Sequence, residues 1–385
     1  MIDITLDKRI TKVGDAAKEA FSELHKIQQK ERLLLKTGEE MIDGHIGSLL
    51  AGDVVIIAGA PSAGKSEFLY RTIEKIMSKE VNPNAGNFVS LEYSMEMKML
   101  NKLLRTTHNM LGKKKSEILH TPFNEEEALK VREYYTNLQD DRRYVVQSPV
   151  TPEEFYKMTR DFCIMHKDAE AILISADHLL LFTGSDKQSV LERVVEMVNL
   201  LKLEFGNVYF LLLSQLNRSY NLTIKEKSND MIPTNSLLFG SSFMEQIASY
   251  IIIITNPFKQ SISQYLKASK DRYDYLSEFF GEEDKNGRIS FNTCGNLFFF
   301  LTKIRESDSP FKDLYIKRMD LTKEQLDKLK QSVELKTELP SIPSFSAPIF
   351  NATEEKKVED IVAPISFANL SQAFGSDDED DLKPF

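Results

Sequence analysis

The stretch that most restricts what this chain can become runs from Asp53 to Met77. It begins with DVVIIA, continues through GAPSAGKS, and passes from the last serine into SEFLYRTIEKIM. A continuous apolar run, a turn of small residues and then apolar positions at helical spacing describe a buried strand, a tight loop and a helix. The loop fits G-x-x-x-x-G-K-[ST]. In this setting Gly59, Ala60, Pro61, Ser62, Ala63 and Gly64 let backbone N–H groups wrap a β-phosphate, and the helix start favours the negative charge. Lys65 would reach the β- and γ-phosphates, and Ser66 would hold Mg²⁺. The alternative, a chance glycine-rich turn, does not account for strand, lysine, serine and helix falling in register.

The rest of the chain is organised around that unit. VVIIA, FVSLE, YVVQS, AILISAD, YFLLLSQ, YIIIIT and LFFFLTK are candidate strands. Most are continuously apolar, as expected when helices cover both faces of a mainly parallel sheet. Residues 1–35 read as an N-terminal helical linker, with Ala17, Phe21, Leu24 and Ile27 at helical spacing. That face packs either on a neighbour or on the chain's own core. Residues 36–320 form the α/β core, within which 257–296 is charged and Tyr-rich and reads as an excursion with a helix of its own. Residues 321–385 read as a linker and a disordered acidic tail, because Pro, Ser, Asn and acids replace any apolar period from about Pro340.

Charge and composition narrow the partners. The net charge is −9. Residues 354–385 hold nine acids against three lysines, which leaves only −3 for the remainder, so a local basic loop can still meet phosphates. No apolar run is long enough to span a bilayer, and MIDITLDKR lacks a signal-peptide pattern. Cys163 and Cys294 lack metal-ligand spacing and read as reduced thiols of a cytoplasmic protein.

Several polar residues sit where strands end. Asp177 closes AILISAD, where it would supply the second Mg²⁺ contact or merely cap a helix. Glu92 in FVSLEYS would polarise an attacking water or stand as an ordinary loop acid. Gln215 closes YFLLLSQ and would sense a γ-phosphate or remain a surface amide. Lys303 and Arg305 share one side of an extended segment. They form either a solvated strand end or a pair reaching a neighbouring subunit's nucleotide.

Taken in order, these motifs resemble the C-terminal ATPase domain of DnaB-type replicative helicases, which have a RecA-like P-loop fold. The resemblance spans roughly Lys36 to Asp320. It runs from TGEEMIDGHIGSLLAGDVVIIAGAPSAGKS through VSLEYS, TPEEF, ILISADHLLL, LLSQLNRS and PTNSLLFGSSFMEQIASYIIII to TKIRESDSP. It implies ATP and Mg²⁺ at Gly59, Gly64, Lys65 and Ser66, with Asp177 as the Walker B acid and Glu92 as catalytic base. It further implies Gln215 as γ-phosphate sensor, Lys303 and Arg305 as fingers acting on the adjacent subunit, and a closed homo-oligomeric ring, a hexamer. The expected activity is ATP-dependent translocation on single-stranded DNA in replication.

Two departures accompany the resemblance. Only about thirty-five residues precede the core, where the family has a collar domain that binds primase, so the chain resembles a compact phage or mobile-element version. The family's charged pore loop is replaced by LLFGSS, whose Gly240, Ser241 and Ser242 would present N–H groups and hydroxyls to DNA phosphates. Arg218, Lys225 and Lys227, with Tyr220, would grip a stacked single strand or form a charged surface loop. The terminal DDEDDLKPF is either solubilising or a docking tail that offers Phe385 to a replication protein. A filament-forming recombinase ATPase and a non-translocating, nucleotide-dependent replication adaptor are the rival readings.

Overall fold

The apolar runs become the strands of one sheet because both of their faces are covered. The computed structural model describes residues 12–29, 34–139, 141–184, 186–217, 232–260, 262–305 and 313–319. Strands β1 (Val54–Gly59), β2 (Phe88–Ser94), β3 (Arg143–Val146), β4 (Ala171–Asp177), β5 (Val208–Gln215) and β6 (Tyr250–Thr255) are all parallel, in the order β3-β2-β4-β5-β1-β6. Three further strands, β7 (Gln264–Ser269), β8 (Phe280–Glu283) and β9 (Arg288–Asn292), make a separate antiparallel sheet in the order β7-β9-β8. The main sheet then gains β10 (Asn296–Ile304), antiparallel to β6, and β11 (Leu314–Arg318), antiparallel to β10.

Alternation along the strands sorts side chains into two cores. Val54, Ile56 and Ala58 of β1 enter one, while Val55 and Ile57 enter the other; Phe298 and Phe300 of β10 oppose Phe299 and Leu301 in the same way. Helices α1 (Val13–Gln28), α2 (Glu40–Ile46) and α3 (Lys65–Ile76) precede β2, and Phe68, Leu69, Ile73 and Ile76 of α3 cover the second core. Helices α4 (Met99–Leu111), α5 (Lys115–His120) and α6 (Glu125–Leu138) lie between β2 and β3. The first core is closed by α7 (Pro152–Met165), α8 (Lys187–Glu204) and α9 (Ser241–Ile247). The start of α7 is written in the sequence TPEE: Thr151 accepts from the Glu154 N–H at 3.1 Å, Glu154 reaches back to the Thr151 N–H at 2.8 Å, and Pro152 occupies the first turn. The mainly parallel α/β sheet with helices on both faces is therefore as expected.

Three details differ from the sequence reading. The helix expected within 257–296 is of a different type: among the described residues of that segment the helical stretches are 3₁₀, and Asp271–Phe279 has non-helical dihedrals at Tyr273 and Leu276. Its packing explains this, since Tyr273, Leu276 and Phe279 all turn into the first core, a spacing of three that suits 3₁₀ winding. Of the two readings of the N-terminal helix, packing on its own core is not the one observed. Phe21 of α1 is 73% exposed and Leu24 53%, so these two face outward, while Ile27 at the end of the stripe is half-buried. Finally, β11 has no counterpart among the candidate strands, because LYIKR is short and half polar. Among the described residues no helix is long and apolar enough to cross a membrane.

The small sheet is stapled to the large one by aromatic rings. Phe298 is fully buried, with Tyr265 of β7 at 5.1 Å and Phe291 of β9 at 6.3 Å between ring centroids. Phe298→Ala should cost about 3–5 kcal/mol in urea unfolding. Limited proteolysis of that variant should cut first within 257–296; unchanged stability and an unchanged cleavage map would refute the staple.

Candidate active site

Parallel register brings the candidate residues to one edge of the sheet. Gly59 at the end of β1 is level with Gln215 at the end of β5, and Ser94 at the end of β2 is level with Asp177 at the end of β4. Glu92 lies two residues inside β2 rather than at its end, level with Ser175, and is 6% exposed. Burial argues against an ordinary loop acid at that position. The loop from Gly59 to Ser66 turns into α3 through Gly64, whose φ of 97° is a left-handed conformation that a side chain would strain.

Lys65 is buried, and its ammonium donates to the carbonyl oxygens of Gly59 at 2.8 Å and Ala60 at 2.9 Å. Burial lowers its pKa to about 8, an effect that Glu96 and Asp177 partly oppose. Ser66 Oγ donates to Asp177 Oδ1 at 3.1 Å, joining loop and strand across the sequence. An oxygen-only pair of hydroxyl and buried carboxylate suits Mg²⁺, which takes few protein ligands and keeps several waters. A cation already stands at this carboxylate, since Lys102 Nζ lies 3.7 Å from Asp177 Oδ2. Serine and aspartate thus fit the metal that the loop motif implies. The cleft over them, bounded by Glu96, Lys102 and Arg105, holds about 60 Å³, room for an ion with a water or two.

Residues that the motifs did not reveal complete the surroundings. Lys102 contacts Glu92 Oε1 as well as Asp177. Behind Glu92, the Tyr134 hydroxyl donates to Glu74 at 3.2 Å, and the Arg143 guanidinium lies 5.0 Å from the Tyr70 ring centroid. Burial raises the Glu74 pKa, with Arg143 and Tyr134 opposing. Lys259 donates to the Ser62 carbonyl at 3.0 Å, which clamps the outside of the phosphate loop. His178, directly after Asp177, has a φ of 85°, and its buried Nδ1 has no partner among the described residues. Burial lowers its pKa, with Glu96 opposing. Each of these contacts joins residues distant in sequence or ordinary in type, so no short motif marks them.

Lys303 and Arg305 are not brought to this edge. Because β10 runs antiparallel to β6, Ile304 is level with Tyr250, whereas Gly59 is level with Ile254. At about 3.3 Å per strand residue, that places the pair at the far edge, roughly 13 Å along the strands. There Lys303 contacts the carbonyl of Glu245, and Arg305 donates to the carbonyl of Gln246 at 3.2 Å, both at the end of α9.

The segment LLFGSS hangs from the end of β5. Phe239 N–H donates to the Gln215 carbonyl at 3.0 Å, and Asn217 N–H donates to that of Leu237 at 2.7 Å. A movement of Gln215 would therefore be transmitted to Gly240, Ser241 and Ser242. Gly240 has φ 66°, and a Cβ there would lie 2.2 Å from Leu191 Cδ2 of α8. The left-handed backbone strains any side chain here and a Cβ would displace the Leu191 side chain, so replacement of Gly240 would not isolate a DNA contact. Arg218, Lys225 and Lys227, with Tyr220, lie outside the described residues, as does the tail to Phe385.

The family model for the DnaB-like helicase C terminal domain matches residues 35–290. The chain belongs to this family. A curated relative, the replicative DNA helicase DnaB of Buchnera aphidicola subsp. Baizongia pistaciae (strain Bp), is 28% identical over 228 residues, which is 57% of this chain and 46% of that protein. The chain therefore spans about half the length of that DnaB. Among solved structures, one described as an ATPase domain superposes with a TM-score of 0.57 at 17% identity, over 82% of this chain and 97% of that one. A DnaB-like replicative helicase, described for its interactions with primase, gives 0.54 at 17% identity over 80% of this chain and 64% of that one. These two likenesses show the DnaB-like ATPase fold.

The lowered Lys65 pKa makes a prediction about nucleotide binding. Phosphates bind the protonated amine, so binding takes up a proton once pH exceeds the free-site pKa near 8. Affinity for a fluorescent ATP analogue should be nearly flat from pH 6 to 7.5 and fall about tenfold by pH 9. A flat profile through pH 9 would show that this amine does not meet the phosphates.

Proposed function

We propose that this chain is the ATP-hydrolysing motor of a DnaB-like helicase that assembles as a homo-oligomeric ring, a hexamer, and translocates on single-stranded DNA in replication. The observation that carries this reading is the separation of the two half-sites. Lys65, Ser66, Asp177 and Glu92 meet at one sheet edge, while Lys303 and Arg305 stand at the other, out of reach of their own subunit's phosphate loop. A pocket completed only by a neighbour requires a ring or a filament of subunits, and membership of the DnaB-like family favours the ring.

In this reading the N–H groups of Ser62 to Ser66 and the Lys65 ammonium bind the β- and γ-phosphates of ATP. Ser66 and Asp177 hold Mg²⁺, which when bound screens phosphate charge as a Lewis acid. Glu92 accepts the proton of the attacking water. The neighbour's Lys303 and Arg305 stabilise charge on the leaving phosphates, a contribution of about 10³–10⁵ in rate when an arginine acts in trans. Gln215, through its backbone link to Phe239, passes the state of the pocket to LLFGSS and to the loop bearing Arg218, Lys225 and Lys227. Those loops are the proposed contacts to single-stranded DNA, and the acidic tail ending in Phe385 is the proposed docking element for a replication protein.

Two measurements test the proposal. Glu92→Gln should retain ATP-analogue binding and lose about 10²–10⁴ in turnover; unchanged turnover would place the base elsewhere. Arg305→Ala should lose single-strand-stimulated ATPase activity and regain part of it on mixing with Lys65→Ala subunits, because some intact pockets then face an intact arginine. Mixtures no more active than the sum of their parts would argue against action between subunits.

A further inference from the structure

Lys102 belongs to none of the motifs, yet it stands where the site's charges converge. Its side chain is 12% exposed, its Nζ contacts Glu92 Oε1, and it lies 3.7 Å from Asp177 Oδ2. Lys65, also nearby, is turned towards the carbonyls of Gly59 and Ala60. Glu96 and Arg105 bound the same cleft. Two buried carboxylates without a counter-charge are costly, and one ammonium beside both offsets that cost.

A metal held by Ser66 and Asp177 competes for the same place. Two cations a few ångströms apart in a partly buried site repel, and the repulsion is stronger there than in water because the effective dielectric is lower. Lys102 and the metal therefore cannot both sit at Asp177. Lys102 reaches the carboxylates from a helix that lies largely at the surface. Only Thr107 of α4 is buried, and its first residue, Met99, is tied through its N–H to the Gln147 side chain at 2.8 Å.

We propose that Lys102 is the resident counter-ion of the unloaded site: it neutralises Glu92 and Asp177 together, surrenders Asp177 when metal–nucleotide arrives, and remains with Glu92 as a positioning residue for the base. The inference rests on the reading of Ser66 and Asp177 as the metal pair. Its consequence is that the nucleotide-free site discriminates against bare divalent ions, so metal enters with nucleotide.

The test uses Mn²⁺ as the probe and the electron paramagnetic resonance signal of the free ion as the readout, on the full chain without nucleotide. Lys102→Met and the more conservative Lys102→Gln should bind Mn²⁺ at least about tenfold more tightly than the wild type, given the repulsion removed. Both should also melt lower in EDTA and recover with Mn²⁺, whereas Lys102→Arg should match the wild type. Adding Asp177→Asn to Lys102→Gln should abolish the gain. Mn²⁺ affinity in Lys102→Gln equal to that of the wild type would overturn the proposal. Asp177→Asn alone tests the underlying reading separately: unchanged Mn²⁺ binding in the presence of ATP analogue would remove the metal pair itself.

Discussion

The hydrogen bond from Ser66 to Asp177 holds the site together, and it depends on parallel register. A serine at the first turn of α3 and an aspartate at the end of β4 meet at 3.1 Å because β1, β5 and β4 are neighbouring parallel strands whose C-terminal ends lie at the same edge of the sheet. One residue of slip in any pair would turn Asp177 to the opposite face. Alternate side chains of these strands pack into two separate cores, and that packing holds the register on which the chemistry depends. Lys65, Glu92 and Gln215 inherit their positions from the same alignment.

The reversed strand β10 has the opposite consequence. By running against β6 it carries Lys303 and Arg305 away from the phosphate loop of their own subunit and presents them at the other edge. In the proposed ring, the phosphate-loop edge and this cationic edge lie on the same chain without meeting, so each would act with a neighbour. The outward-facing Phe21 and Leu24 of α1 agree with a molecule whose structure is completed by another subunit.

The parallel core is legible in the sequence because its strands are apolar on both faces and end in polar residues. VVIIAG, AILISAD and VYFLLLSQ each announce a buried strand and the residue that emerges from it. The small sheet is not legible, since QYLKAS, FGEE and RISFN are short, half polar and paired through tertiary packing on Phe298. In the site, Lys65, Ser66 and Asp177 are readable from local context. Lys102 is not, because in KMLNKLLR it looks like the solvated side of an amphipathic helix. Only the folded chain brings it to Glu92 and to Asp177, seventy-five residues further on. Gly240 shows the converse: its position in LLFGSS points to phosphate, while its closest constraint is Leu191.

If hydrolysis at this edge drives movement along DNA, the chain must separate strands. A fluorescently labelled forked duplex, incubated with the purified chain, Mg²⁺ and ATP, should be opened. Separation should cease with a non-hydrolysable analogue and in Lys65→Ala. An assembled, nucleotide-bound protein that hydrolyses ATP and leaves the fork intact would contradict a translocating motor.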